Sequence, residues 1–86
     1  MNVVFHNRFE KAVQKLPTKV RQKAFERIVL FTDYPLNRQL RNHSLNTPYK
    51  GSYSIDIIGN YRAIYELVDN DTALFTHIST HSQLYR

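Results

Sequence analysis

The chain has 86 residues, 12 Lys and Arg against 7 Asp and Glu, and a formal net charge of +5. That length holds one core and therefore one domain, spanning 1–86. With no Cys and only two Gly, a disulfide, a zinc–thiolate site, a cysteine nucleophile and a Gly-rich phosphate loop are all excluded.

In chain order, Asn2–Phe5 reads as a short first strand. Asn7 is the expected N-cap of a first helix, with Glu10 three residues on in a capping-box pattern. Phe9, Val13 and Leu16 recur at helical spacing, and Pro17 ends that helix and opens the next. The second helix is expected over Thr18–Thr32. Val20, Ala24, Ile28 and Phe31 line its apolar stripe, and Phe25 lies beside it. Asp33-Tyr34-Pro35 ends it, because a residue before proline avoids helical geometry. The short Leu16-Pro17 break fits an antiparallel helical hairpin.

Residues 34–51 are polar, carry two of the three prolines, and read as an irregular connection. From Ser52 the apolar period changes to two. Tyr53 to Ile58, Tyr61 to Val68 and Thr72 to Thr80 read as three strands, separated by Gly59-Asn60 and Asp69-Asn70-Asp71 turns. The expected fold is α+β, a helical hairpin packed on a mainly antiparallel meander. Two registers of the first turn are open. A two-residue loop places Asp56 opposite Ala63, and one more turn residue places it opposite Arg62. The choice reverses which side chains share a face.

The hydrophobic share of 42% suffices for a small core. No apolar run approaches the roughly 18 residues of a membrane span, and the N-terminus lacks a signal-peptide layout. A cytoplasmic protein without membrane contact is expected. Charge is uneven. Residues 1–50 carry ten basic and three acidic groups, net +7, and residues 51–86 two basic and four acidic, net −2. A basic half points to an anionic partner, nucleic acid first and an acidic protein second, or to a solvated helix face.

Three segments carry chemistry. Arg41-Asn42-His43-Ser44-Leu45 sets an imidazole in a basic stretch, with Lys50 downstream. Tyr61-Arg62-Ala63-Ile64-Tyr65 sets one cation in an uncharged strand centre, where a planar guanidinium suits a phosphate. Thr80-His81-Ser82-Gln83-Leu84-Tyr85 sets an imidazole near a phenol just after a strand, the alternative being a frayed terminus. His77 and His81 are poor metal ligands, since on an extended strand they stand about 13 Å apart.

In this order, with the Leu-Pro-linked helices and Tyr49-Lys50-Gly51, these segments resemble the RelE/ParE superfamily of type II toxin–antitoxin toxins over essentially the whole chain. The loop and tail are most similar to the YafQ branch of ribosome-dependent mRNA endonucleases, and the Tyr-Arg-x-Ile-Tyr strand to RelE. The resemblance implies metal-independent RNA cleavage, no cofactor, and a cognate antitoxin, ribosome and mRNA as partners. It implies catalytic roles for His43, Arg62, His81 and Tyr85, and RNA-binding roles for Lys50, Tyr61 and Arg41. Two positions depart from the YafQ pattern. Asp56 stands where that branch has a strand histidine, and Asn60-Tyr61 replaces its Asp-Trp pair. A ParE-like inhibitor of DNA gyrase and a catalytically degenerate binder of antitoxin or RNA are the alternatives.

Overall fold

The computed structural model describes residues 1–85. The chain begins with β1 (Asn2–Phe5), followed by α1 (Asn7–Gln14) and α2 (Thr18–Asp33). A 3-10 turn, Arg38–Leu40, leads into β2 (His43–Ser44). Then come β3 (Tyr53–Asp56), β4 (Tyr61–Asp69), β5 (Thr72–Thr80) and one turn of helix, α3 (His81–Leu84). The strands form one sheet in the order β1-β5-β4-β3-β2. Only β1 runs parallel to its neighbour, the other pairs being antiparallel.

The α1 cap differs from expectation. His6, not Asn7, is the N-cap, and its Nδ1 accepts from the Arg8 N–H at 3.0 Å. Strand β1 stays paired with β5 through Phe5, so the chain turns at His6 and the helix starts immediately after it. Glu10 is thereby one position too far along to close a capping box with the cap residue. Helix α2 runs one residue past Thr32 and stops at Tyr34, held extended before Pro35.

The core lies between the helical hairpin and one face of the sheet. Phe9, Ala24, Phe31, Leu40, Ile55, Ile57, Ala63, Tyr65, Ala73, Phe75 and Ile78 form its buried cluster. Phe31 packs 4.8 Å from the Tyr65 ring and edge-on to Phe75 at 5.4 Å. Phe25, on the outer side of the same helix, stays 71% exposed.

Asp56 pairs with Arg62, and Tyr53 with Tyr65, so the longer turn is the one formed. The Tyr61 N–H bonds Ile58 O, and Gly59 takes φ +54°, a conformation other residues adopt at a cost. With side chains alternating along each strand, Tyr53, Ile55, Ala63 and Tyr65 face the helices. His43, Ser54, Asp56, Arg62, Ile64, His77 and Ser79 share the opposite face. That face is the setting of the candidate site.

Candidate active site

Arg62 lies on this face at the start of β4, beside the β3–β4 turn. Its Nε donates to Asp56 Oδ1 at 3.0 Å across the β3–β4 pair, both side chains being about one-fifth exposed. Its Nη1 donates to Gly59 O at 2.8 Å and to Tyr61 O at 3.0 Å. The guanidinium is thus held on two sides, by Asp56 through Nε and by the turn around Gly59 through Nη1. The other carboxylate oxygen of Asp56 lies 3.7 Å from Arg41 Nη1. Three charged groups from one loop and two strands meet here, with net charge +1.

Arg41 and His43 arrive on the segment after α2. Leu40 is fully buried and anchors the 3-10 turn, and Arg41 takes φ +46° as the chain swings into β2. Asn42 pins the segment from below. Its amide donates to Pro35 O at 2.9 Å, and its Oδ1 accepts the Tyr65 hydroxyl at 2.8 Å. Burial raises the Tyr65 pKa above its ordinary 10.0, against the lowering effect of the Asn42 bond, so the phenol stays a donor at neutral pH. Tyr65→Phe is expected to cost about 1 kcal/mol in urea unfolding, the net worth of one such bond, and to loosen the His43 segment. Unchanged stability would mean that Asn42 holds the loop by its Pro35 bond alone.

The imidazole of His43 is exposed and sits 2.6 Å, through Nδ1, from the Arg41 carbonyl. A carbonyl only accepts, so Nδ1 carries the proton and the neutral ring presents Nε2 as an acceptor. That is the form a general base requires.

The tail folds into α3 instead of fraying. Thr80 caps it, its hydroxyl accepting from Gln83 N, and Ser79 also bonds Gln83. The His81 N–H donates to Asn60 O at 2.8 Å, fastening the helix to the β3–β4 turn beside Arg62. The His81 and Tyr85 rings lie 4.8 Å apart. Leu84 is buried, and its carbonyl accepts the Tyr49 hydroxyl at 2.7 Å. Tyr49 stands edge-on to both Tyr85 (5.5 Å) and His77 (5.3 Å).

The structure therefore gathers Arg41 and Arg62 through Asp56, and His81 with Tyr85. Lys50, next to the anchored Tyr49, is exposed and makes no ion pair among the described residues. Tyr61 is the exception. By strand alternation it faces away from Arg62, and its partly buried ring packs against the core, so the RNA-binding role implied for it would lie off the Arg62 face. Asp56, Tyr49 and His77 are additional to the expected site residues. The resemblance had marked Asp56 as a departure, but only the register shows that it faces Arg62, and His77 lies in an otherwise ordinary strand.

His77 has its pKa lowered from 6.5, first by burial and then by the positive charges of Arg8 and His6. Arg8 is close because β1 ends at Phe5, which leaves Thr76 O free to accept from Arg8 Nε at 3.0 Å. With the folded pKa below the unfolded one, His77 favours folding above about pH 6.5 and that contribution is lost as pH falls. In urea melts from about pH 7.5 to 5, His77→Gln is expected to remove part of this acid sensitivity. An unchanged pH slope would refute it.

No family model and no curated protein matches the sequence. Solved structures do match. YafQ from E. coli strain BL21(DE3) superposes with a TM-score of 0.81 at 19% identity, over 99% of this chain and 98% of that one. The RelB–RelE antitoxin–toxin complex from Methanococcus jannaschii gives 0.74 at 24% identity, over 95% and 94%. A YoeB/ParE toxin from Agrobacterium tumefaciens gives 0.76 at 15% identity, over 94% and 99%. Five strands, a helical hairpin on one face and near-complete mutual coverage lead to one conclusion: the chain has the α+β fold of the RelE/ParE toxin structures, as its sequence resemblance implied.

Proposed function

We propose that this chain is the toxin of a type II toxin–antitoxin pair and that it cleaves mRNA on the ribosome. The observation that carries this reading is the sheet face on which Asp56 and the Gly59 turn brace Arg62, with His43 on the neighbouring β2 and the His81 backbone fastened to the same turn through Asn60 O. In this reading His43 Nε2 removes the proton from a ribose 2′-OH. The oxygen attacks the adjacent 3′ phosphate, forming a 2′,3′-cyclic phosphate as the bond to the 5′ oxygen breaks. His81, protonated, gives its proton to that leaving oxygen. Arg62 and Lys50 stabilise the charge that builds on the phosphate, the interaction that grows most toward the transition state. Tyr85, against His81, orients the nucleotide. Acid, base and cation are all protein groups, so the route requires no metal or cofactor.

The basic 1–50 segment supplies phosphate contacts for docking on ribosomal RNA, and its partner in the resting cytoplasm is an acidic antitoxin. The RelB–RelE structure, a complex of toxin and antitoxin, supports a partner of that kind. Antitoxin-free protein added to translating ribosomes is expected to cut mRNA at discrete sites, read by primer extension, and to leave DNA gyrase supercoiling untouched. Intact mRNA with inhibited gyrase would replace this reading with the ParE-like one.

A further inference from the structure

Asp56 is the one position in the site where the chain departs from the YafQ pattern by exchanging an imidazole for a carboxylate. A lone carboxylate on an RNA-binding face should weaken binding, since it repels phosphate. Its surroundings show what offsets that. Asp56 takes Arg62 Nε at 3.0 Å on one oxygen and faces Arg41 Nη1 at 3.7 Å on the other. The two backbone carbonyls of the turn take Arg62 Nη1. Of the five guanidinium N–H groups of Arg62, only the pair on Nη2 has no protein acceptor among the described residues. The fork is therefore frozen, with one nitrogen left over.

Arg41 complements it. Its side chain is 72% exposed, rooted on a residue with φ +46°, and its only charged contact among the described residues is Asp56. Without that carboxylate, two positive guanidinium groups would repel and the exposed one would spread over many rotamers.

We propose, building on the endonuclease reading, that Asp56 is a positioning residue that assembles Arg62 and Arg41 into a two-arginine clamp for one phosphodiester. Arg62 offers Nη2 from a fixed direction, and Arg41 closes from the loop that also carries His43. The carboxylate keeps its place between them and does not take part in proton transfer. Orientation by pre-set groups is a rate effect more than an affinity effect. Removing the negative charge should leave RNA affinity equal or better while lowering turnover.

The test is Asp56→Asn, which keeps the shape and removes the charge. Single-turnover cleavage of ribosome-bound mRNA is expected to slow about 10- to 100-fold at saturation, with the half-saturating concentration unchanged or lower. In parallel, 15N NMR follows the side-chain Nε–H signals of Arg62 and Arg41, with and without a dinucleotide carrying a 2′-deoxy sugar at the attacking position. In the wild type the Arg62 signal should be sharp and slow to exchange, and both arginines should shift together on adding the dinucleotide. In Asp56→Asn the Arg62 signal should broaden and the joint shift should be lost. An Arg62 signal that is the same in both proteins overturns the proposal, as does unchanged or faster turnover in Asp56→Asn. If the wild type cleaves no ribosome-bound mRNA, the endonuclease reading falls, while the NMR signals still decide whether Asp56 forms the clamp.

Discussion

His81→Ala is expected to slow cleavage of ribosome-bound mRNA by about 10²- to 10⁴-fold, the range that a positioned general acid contributes. The substitution should act on the site, through the proton donor and the ring contact with Tyr85, and leave the fold intact. The imidazole is exposed apart from its contact with Tyr85, and what anchors α3 is the His81 backbone, whose N–H bonds Asn60 O. Alanine keeps both and is a good helix former. Thermal stability should therefore stay within about 0.5 kcal/mol of the parent. Growth arrest on induction should be relieved, with antitoxin binding largely intact. Single-turnover primer extension across a pH series is the decisive measurement, because losing the acid removes the alkaline limb of the rate profile as well as most of the rate. A variant as fast and as toxic as the parent would take His81 out of the mechanism.

The second large effect is on the fold. Phe31→Ala is expected to cost about 3–5 kcal/mol, the usual range for deleting a buried ring. Phe31 is completely buried, and its ring touches both Tyr65 on β4 and Phe75 on β5, so α2 is joined to the two central strands through it. For a chain of this length, total stability on the order of 4–13 kcal/mol leaves little after such a loss. Phe25→Ala, on the same helix but 71% exposed, is the control and should change stability by no more than about 0.5 kcal/mol. Urea unfolding of the three proteins compares them directly. Similar midpoints for the two variants would mean that Phe31 is not the hub of the core.

The two outcomes also separate what Tyr65 does. Its ring supports Phe31 from the sheet, and its hydroxyl holds Asn42 under the His43 segment. The same side chain thus ties core packing to the placement of the candidate base. Loss of Phe31 should reach the site through that connection, whereas loss of His81 should not reach the core.

Much of the architecture was legible from local signals. Period-two alternation over Tyr53 to Thr80 and the Leu16-Pro17 and Tyr34-Pro35 breaks locate three strands and two helices, to within a residue or two for the helices, β4 and β5. These features are written in neighbouring residues, where period and proline geometry act. The exceptions share a cause. The two-residue strand His43–Ser44 has no pattern of its own and exists only by pairing with Tyr53 and Ser54. The single turn α3 is far too short to be stable alone, and stands because Leu84 is buried and Asn60 O takes the first N–H. His6 replaces Asn7 as the cap because β5 holds β1 to its last residue.

The site divides along the same line. By itself the sequence determined the small α+β design, the basic first half, and the supply of His43, Arg62, His81 and Tyr85 without cysteine or glycine-rich loops. Only the tertiary structure decided which of these groups share a surface. One extra residue in the Gly59 turn sets Asp56 against Arg62, and the same alternation turns Tyr61 toward the core. The physical reason is that side-chain direction along a strand reverses at every residue. A register set by one turn residue, invisible in composition or spacing, therefore chooses the face on which each charge stands.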